Sequence, residues 1–190
     1  PKYSEILPSE TKIETKLSNN LSLKIPIISS AMDTVTESSM AIEIAKLGGI
    51  GVIHRNLDIK NQILEVKKVK SKNLKVGAAV GTGLIEIKRA EALLKERIDL
   101  IVVDTAHGHT KKVAEIIKKI KELKSKKTTL CAGNIATAEA AKFLSKLGVD
   151  AIKVGIGPGS ICTTRLVAGI GVPQLSAILA AKKGLGKKKI

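Results

Sequence analysis

The segment that runs from Gly155 to Cys162 carries the residue types and the spacing that could do chemistry in this chain. Its three glycines could take positive φ and turn backbone N–H groups toward an anion. Ser160 adds a hydroxyl donor, and Cys162 lies among polar residues, where a lowered thiol pKa would make it a nucleophile. One loop would then hold a substrate's phosphate at a fixed distance from the carbon that reacts. From spacing alone, a tight Gly/Pro turn with an inert cysteine is the alternative.

Polar residues also follow other apolar runs of the sequence. Asp104 could accept hydrogen bonds from a ribose or orient a cofactor. Asn134 could bond to a ribose or a base, although an ordinary turn asparagine explains it equally well. His107 and His109 are two positions apart, and because no third ligand is evident, they are interpreted as loop residues rather than metal ligands.

Serines, sulfur-containing residues and one more histidine complete the candidates. Ser29 and Ser30 could bind a phosphate or a nucleotide, with helix capping as the alternative, and Met32 beside them could simply pack. His54, which ends an apolar run together with its two polar successors, is a weaker candidate. Cys131 lies inside an apolar run and is interpreted as a small core residue. Because CxxC spacing is missing from the sequence, neither a disulfide framework nor a zinc site is expected.

These candidates need elements to position them, and the chain repeats a short apolar strand, a turn and an amphipathic helix. Near-continuous apolar runs are typical of strands that are buried on both faces of a parallel sheet. Thr34 and Glu37 predict a capping box at the start of one helix, and Gly48 predicts its end. Thr137 predicts the N-cap of a helix over Ala138–Leu147. The predicted strands are 25–30, 49–54, 75–81, 99–105, 129–134 and 151–156.

The order of the elements predicts an α/β protein with a parallel sheet, either doubly wound or closed into a barrel. The first strand is not followed by GxGxxG, which disfavours a doubly wound dinucleotide-binding domain. The polar candidates instead follow several different strands, as in a (β/α)8 TIM barrel, whose active site lies at the carboxyl ends of its strands. About six βα units fit in the 190 residues, so we expect an incomplete barrel.

Composition limits the classes of function. The chain is 44% hydrophobic and 26% charged, and no apolar run approaches the roughly 20 residues that span a bilayer. Its first residues do not resemble a signal peptide, so a cytoplasmic protein is expected. The net charge of +16 raises nucleic acid as a partner. However, arginine is scarce and aromatic residues make up only 1%, so nucleic-acid binding is not expected and the lysines are interpreted as solvated helix faces.

Taken together, these segments resemble the inosine-5′-monophosphate (IMP) dehydrogenase family. They follow the family's order over essentially the whole chain, and the last segment, which ends at Gln174, is highly specific. The resemblance argues against an inert cysteine. The matching segments are 7–10, 29–37, 48–54, 76–80, 104–109, 132–134 and 155–174.

The resemblance implies oxidation of IMP to xanthosine monophosphate (XMP), with NAD as the hydride acceptor. Cys162 would attack C2 of IMP to form a thioimidate, and Thr164 would lie near the water that hydrolyses it. Backbone carbonyls of three loop residues would coordinate K⁺, a hard cation that prefers oxygen ligands. Those loop residues are Gly157, Gly159 and Cys162. The substrate-binding residues implied are Ser29, Ser30, Met32, Asn134 and Ser160, and the cofactor-binding residues implied are Asp104, Thr105 and Gly155.

Three departures from the family's pattern lead to further expectations. The paired CBS (cystathionine-β-synthase-type) domains usually inserted after the second helix are missing, because residues 70–75 bridge the gap directly. The first residues of the usual first strand and the C-terminal part of the barrel are missing as well. That part supplies a general base and further binding loops in the family, and the family's members are tetramers. We therefore expect residues 1–190 to be a partial catalytic barrel that is weakly active or inactive alone.

Two other functions stay open. GMP reductase is a sister family with the same barrel and cysteine loop and also lacks the CBS insert, but segments 30–37 and 104–109 resemble the dehydrogenase. From a different class, the chain could be a noncatalytic basic half-barrel that serves as an interaction module. That function predicts nucleic-acid affinity that falls steeply with salt, whereas the dehydrogenase predicts that IMP protects Cys162 from a thiol reagent.

Overall fold

A computed structural model describes residues 3–188 and 190, which form a two-stranded hairpin, a six-stranded parallel sheet and seven α-helices. In this described part, no helix is long and apolar enough to cross a membrane. The hairpin strands are β1 (Thr15–Ser18) and β2 (Leu21–Leu23). The sheet strands are β3 (Ile28–Ser29), β4 (Ile50–Ile53), β5 (Val76–Val80), β6 (Leu100–Asp104), β7 (Thr129–Ile135) and β8 (Ala151–Val154). The helices are α1 (Ser38–Lys46), α2 (Ile59–Lys70), α3 (Leu84–Lys95), α4 (Lys111–Leu123), α5 (Ala138–Leu147), α6 (Thr164–Ala168) and α7 (Gln174–Leu185).

The strands of the parallel sheet are hydrogen-bonded in the order in which they occur in the chain, from β3 at one edge to β8 at the other. Every neighbouring pair is parallel, and a helix connects each strand to the next. Sequential parallel strands joined by helices form the wall of a (β/α) barrel, whereas a doubly wound sheet reverses its strand order. The prediction of an α/β fold with an incomplete barrel is confirmed, and all six predicted strands are present.

The sheet buries both of its faces. On the outer face, apolar side chains of the helices pack against alternate strand residues such as Ile53, Ile101 and Leu130. On the inner face, a second cluster contains Val52 and Val102, the residues of β4 and β6 that point the opposite way. Burial on both faces explains why these strands appear in the sequence as continuous apolar runs rather than alternating ones.

The hairpin covers the inner face at the amino-terminal ends of the strands, and the sequence analysis did not predict it. Leu21 and Leu23 are buried there in the inner cluster. Ser18 Oγ lies 2.7 Å from Oγ1 of Thr129, the first residue of β7, and Asn20 Nδ2 donates to a carbonyl just before that strand. The hairpin therefore closes one end of the sheet.

The start of α1 differs from the predicted capping box of Thr34 and Glu37, which is wrong. Thr34 has a φ of 61°, and Glu37 directs its carboxylate to His54 instead of back to the helix. The Ser38 N–H in the first turn donates to Glu65 of α2 at 2.8 Å. The cap is thus supplied by a neighbouring helix, and local sequence does not reveal such a partner.

The other predicted helix signals are confirmed. Thr137 Oγ1 accepts the Ala140 N–H at 3.2 Å at the start of α5. Gly48, just after α1, has a φ of 96°, and a Cβ at this position would lie 2.5 Å from Lys24 Cβ. Glycine is therefore required here both for the left-handed turn and for the close approach of Lys24.

Candidate active site

A cleft of about 680 Å³ opens at the carboxyl ends of the parallel strands, at the end of the sheet that the hairpin does not cover. Its walls come from the carboxyl ends of β6, β7 and β8 and from the segments after β3, β4, β6 and β8, so residues far apart in the sequence meet there. This is the end at which a barrel keeps its active site. The predicted site residues that line the cleft are Met32, Asp104, Thr105, Asn134, Gly155, Gly157, Cys162 and Thr164.

The loop after β8 requires two of its glycines. Gly155 and Gly157 have φ values of 137° and 66°. A Cβ on Gly155 would lie 2.6 Å from Gln174 Oε1, and one on Gly157 would lie 2.9 Å from the Ile170 carbonyl oxygen. Gln174 Nε2 also donates to the Val154 carbonyl at 2.9 Å, which ties the first residue of α7 to the end of β8. Positive φ and close backbone contacts together fold the loop tightly.

Cys162 lies in this loop and lines the cleft with a partly exposed side chain. Its Sγ lies 3.3 Å from Thr164 Oγ1. Hydrogen bonding to the Thr164 hydroxyl and backbone, together with the positive charge of Arg165, lowers the pKa of the Cys162 thiol. The thiolate is the nucleophilic form of cysteine, so partial exposure and a lowered pKa together favour Cys162 as a nucleophile.

Asn134 and Thr105 form side-chain hydrogen bonds to the backbone at the ends of neighbouring strands. Asn134 Nδ2 donates to the Gly155 carbonyl at 2.9 Å, which links the end of β7 to the glycine loop. Thr105 Oγ1 donates to the Gly133 carbonyl at 2.8 Å, and the Gly133–Asn134 peptide bond is cis. Both side chains thus hold the backbone in place next to the cleft that they line.

Asp104 forms an ion pair with a residue for which the sequence predicts no role. Lys153 Nζ donates to Asp104 Oδ1 at 2.8 Å, so the two side chains bridge β6 and β8 over the intervening β7. A lysine within an otherwise apolar buried strand is unusual, and this is the signal that could have identified Lys153. The lining of the cleft therefore contains a carboxylate whose negative charge is balanced by the neighbouring ammonium group.

Four predicted site residues do not line this cleft. Thr36 Oγ1 donates to the Ser30 carbonyl at 2.6 Å and to Ser29 Oγ at 3.0 Å, and the two serines line a separate cavity of about 230 Å³ on the inner face. Gly159 and Ser160 are exposed on the outside of the glycine loop. The structure brings neither pair into contact with Cys162 through a side chain, so their roles stay predictions.

His54 is buried, with 1% exposure, between the loops that follow β3 and β4. Its Nε2 lies 3.2 Å from Glu37 and 3.9 Å from Asp33, and these donor atoms are close enough together to surround a metal ion. However, the Asn56 backbone N–H donates to His54 Nδ1 at 3.1 Å, so the proton of the neutral ring is on Nε2. A metal ion between these groups would have to bind Nε2, the nitrogen that faces both carboxylates. Because Nε2 carries the proton, this tautomer favours a hydrogen-bonded link between the two loops over a metal site.

The sequence predicts no role for Arg55 or Asn56, yet both line the cleft. Asn56 Nδ2 donates to Asp33, which joins the walls after β3 and β4. Both residues come directly after a predicted strand, and in a barrel this position faces the active site. Position after the strand, rather than residue type, is the signal that could have found them.

Fold and cleft together place the chain among parallel α/β-barrel proteins whose site lies at the carboxyl ends of the strands. The family model described as "IMP dehydrogenase / GMP reductase domain" matches residues 1–190, so the chain belongs to that family.

Individual relatives agree with this assignment. An inosine-5′-monophosphate dehydrogenase of Cryptosporidium parvum is 47% identical over 94% of this chain and 54% of the relative. One from Borreliella burgdorferi is 45% identical over 94% of this chain and 56% of the relative. One from Aquifex aeolicus is 34% identical over 95% of this chain and 63% of the relative. The chain thus spans between 54% and 63% of the length of these relatives.

Proposed function

We propose that this protein oxidises IMP to XMP with NAD as the hydride acceptor, and that Cys162 is the nucleophile. One observation carries the proposal: an accessible cysteine whose pKa is lowered lines a cleft at the carboxyl ends of the strands. The names of the relatives supply the substrate, since they are inosine-5′-monophosphate dehydrogenases.

The chemistry follows from a thiolate that meets the electron-poor C2 of the purine. The Cys162 sulfur forms a bond to C2, and the hydrogen of C2 then leaves with its electron pair to the nicotinamide of NAD, which is reduced to NADH. A thioimidate remains on the enzyme. Water adds to C2 and the C2–S bond breaks, which gives XMP and the free thiol. Ionisation of that thiol releases one proton and restores the thiolate. Thr164, whose hydroxyl is 3.3 Å from Cys162 Sγ, is the proposed neighbour of that water.

The remaining roles are divided between the walls of the cleft. Asn134 and Met32 would contact the nucleotide, and Ser29, Ser30 and Ser160 stay proposed substrate ligands. Asp104, Thr105 and Gly155 would form the dinucleotide side. The link from Asn134 to the Gly155 carbonyl suits such a division, because it fixes the two sides relative to each other.

Potassium is proposed from the resemblance alone, and the carbonyls do not fit it in this conformation. The Gly159 carbonyl already accepts hydrogen bonds from Arg165 Nη2 at 3.0 Å and from the Cys162 N–H at 3.2 Å. A guanidinium next to this oxygen repels a second cation. An ion at Gly157, Gly159 and Cys162 would therefore require Arg165 to move away, and no step of the reaction is derived through it.

We also propose a cytoplasmic homotetramer, with residues 1–190 forming part of one catalytic barrel. No CBS-type domain is expected near residues 70–75, because only 71–75 separate α2 from β5. The second candidate is GMP reductase, since the family description includes it. The relatives at 45–47% identity carry the dehydrogenase name and favour that function.

The test is substrate protection of the thiol. The chain is treated with iodoacetamide in the presence of IMP, GMP or neither, and both cysteine peptides are quantified by mass spectrometry. We expect IMP to slow alkylation of Cys162 while Cys131 stays unreactive. Protection by GMP but not IMP, with turnover of GMP and NADPH, would favour the reductase, and no protection by either nucleotide would overturn the proposal.

A further inference from the structure

A buried network of polar side chains lies behind the cleft, between α2, α3 and the ends of β4 and β5. Gln62, with 0% exposure, donates from Nε2 to the carbonyls of Ile53 at 3.3 Å and Ala79 at 2.9 Å. Arg89 Nη1 donates to Gln62 Oε1 at 2.8 Å, and Arg89 Nε donates to Glu86 at 3.0 Å. We call Gln62, Glu86 and Arg89 the support network.

The support network reaches the cleft through one glycine. The second carboxylate oxygen of Glu86 accepts the backbone N–H of Gly81, which directly follows β5. A Cβ on Gly81 would lie 2.9 Å from Arg55 Nη1 and 3.0 Å from Arg55 Cζ. The guanidinium of Arg55 therefore packs against the Gly81 backbone. Any side chain at position 81 would displace it from this position.

Arg55 lines the cleft and forms no hydrogen bond or salt bridge within residues 3–188 and 190. The other basic side chain of the lining, Lys153, is paired with Asp104. Arg55 follows β4 and Cys162 follows β8, four strands further along the curved sheet, so the two residues lie on different walls of the cleft. Arg55 is thus positioned to contact a part of a ligand remote from the thiol.

Burial of a charged pair such as Glu86 and Arg89 is costly unless hydrogen bonds compensate for the lost solvation. Here the three side chains bond to one another, and the bonds that leave the network end on strand carbonyls or on the Gly81 N–H. We propose that Gln62, Glu86 and Arg89 are positioning residues that fix Gly81, and thereby hold the Arg55 guanidinium in the cleft as the contact for an anionic phosphate group. That the phosphate belongs to a nucleotide rests on the proposed function.

The experiment follows the arginine Nε–H signals of the 190-residue chain by ¹H–¹⁵N NMR, since the sequence has only four arginines, Arg55, Arg89, Arg97 and Arg165. Glu86→Ala should change the signals of Arg89 and Arg55, whereas Gly81→Ala should change that of Arg55 and leave Arg89 unchanged. Gly81 has no positive φ, and its added Cβ meets only the flexible end of Arg55. Glu91→Ala is the matched control, since Glu91 is an exposed partner of Lys95 on the same helix.

Inorganic phosphate is the ligand probe. It should shift the Arg55 signal of the wild-type chain saturably. Its affinity should fall at least about tenfold after Glu86→Ala or Gly81→Ala, the loss expected for one charge-assisted contact. Glu91→Ala should bind phosphate like the wild type. If Glu86→Ala leaves the Arg55 signal unchanged, or if phosphate never shifts it, the inference is overturned.

A purely stabilising network would lower the melting temperature of Glu86→Ala without moving Arg55. If Glu86→Ala fails to fold, Glu86→Gln replaces it, because it removes the charge from the bonds to Arg89 and Gly81 at nearly constant size. It should also move the Arg55 signal, and an unchanged signal would overturn the inference. The result is separable from the proposed function, because loss of IMP protection at Cys162 would contradict that function while leaving the Arg55 measurements intact.

Discussion

The two cysteines, Cys131 and Cys162, have the same side chain but lie in different surroundings. Cys162 lies in the glycine loop at the open end of the sheet, where the hydroxyl of Thr164 lowers its pKa. Cys131 lies within β7 against the inner apolar cluster, where burial raises its pKa to about 12. Both side chains are partly exposed, but only Cys162 has a lowered pKa, so its surroundings, rather than exposure alone, make it the candidate nucleophile.

The same contrast applies to the two ends of the sheet. At the amino-terminal ends of the strands, the hairpin buries Leu21 and Leu23 in the inner apolar cluster. At the carboxyl ends, five loops surround a cleft of about 680 Å³ and carry the polar side chains. A closed end stabilises the fold, and an open end is free to bind a ligand.

The largest expected effect is the difference in reactivity between the two cysteines. With a pKa of about 12, roughly one Cys131 thiol in 10⁵ is ionised at pH 7. We expect iodoacetamide to alkylate Cys162 at least about 100-fold faster in the folded chain. Peptide mass spectrometry over time measures both rates, and equal rates in native protein would remove the contrast. Unfolding in urea is the control, because it should bring the two rates together.

Leu23→Ala should give the next largest effect, at the closed end. Leu23 is 2% exposed, and its truncation should lower the free energy of unfolding by about 3 kcal/mol. Urea denaturation measures this loss. Leu175→Ala serves as the control, because Leu175 is 76% exposed and should change stability little. Alkylation of Cys162 in the native variant should keep its wild-type rate, and a large change there would show that the two ends are not independent.

Glu65 of α2 accepts a hydrogen bond from the first turn of α1, which begins near the open end of the sheet. Although partial burial opposes it, hydrogen bonds from Lys68 and Ser38 lower the pKa of Glu65. A lowered pKa in the folded state stabilises the fold above the pKa of the unfolded chain, and this contribution is lost as the pH falls through the folded value. Glu65→Ala should therefore cost about 1 kcal/mol near neutral pH.

Denaturation of both proteins at several pH values checks the Glu65 prediction. The stability difference should shrink as the medium becomes acidic, because protonation removes the same interactions from the wild type. A difference that stays constant with pH would mean that packing, not charge, is responsible. Glu91→Ala, at an exposed position on α3, should change little at any pH.

Thr164→Val should give the smallest effect, and it tests which group lowers the pKa of Cys162. Loss of the hydroxyl removes the main cause of the lowered pKa, so the pH at which alkylation reaches half its maximum should rise. At neutral pH the rate should fall about two- to fivefold and recover in alkaline medium. Thr163→Val is the neighbouring control. An unchanged pH profile would assign the ionisation of Cys162 to Arg165 or to the backbone.

Much of the fold could be predicted because parallel strands buried on both faces appear as continuous apolar runs, as in Leu100–Asp104. The carboxyl-end location of the site followed from the same pattern. The β1–β2 hairpin could not be predicted this way, since its strands are only four and three residues long and half of their positions are polar. Its burial depends on β6 and β7, which lie far along the sequence.

Side-chain partners explain the other errors. Glu37 has the spacing of a capping box but contacts His54, and the cap of α1 comes from Glu65, 27 residues away. Arg55 was overlooked because its support by Gly81 joins two strands of the folded sheet. Local sequence determines which residues share a loop, whereas contacts between loops depend on how the sheet curves and on which side chains meet there.

The hairpin also has a consequence for synthesis on the ribosome. Its apolar residues pack with residues of β6, and Ser18 bonds to Thr129, 111 positions later. Leu21 and Leu23 find their first partners in β4 and β5, but the hairpin is not fully held in place until β6 and β7 have been made. Contacts of such long sequence separation slow folding, because ordering the intervening chain costs entropy before the contact can form.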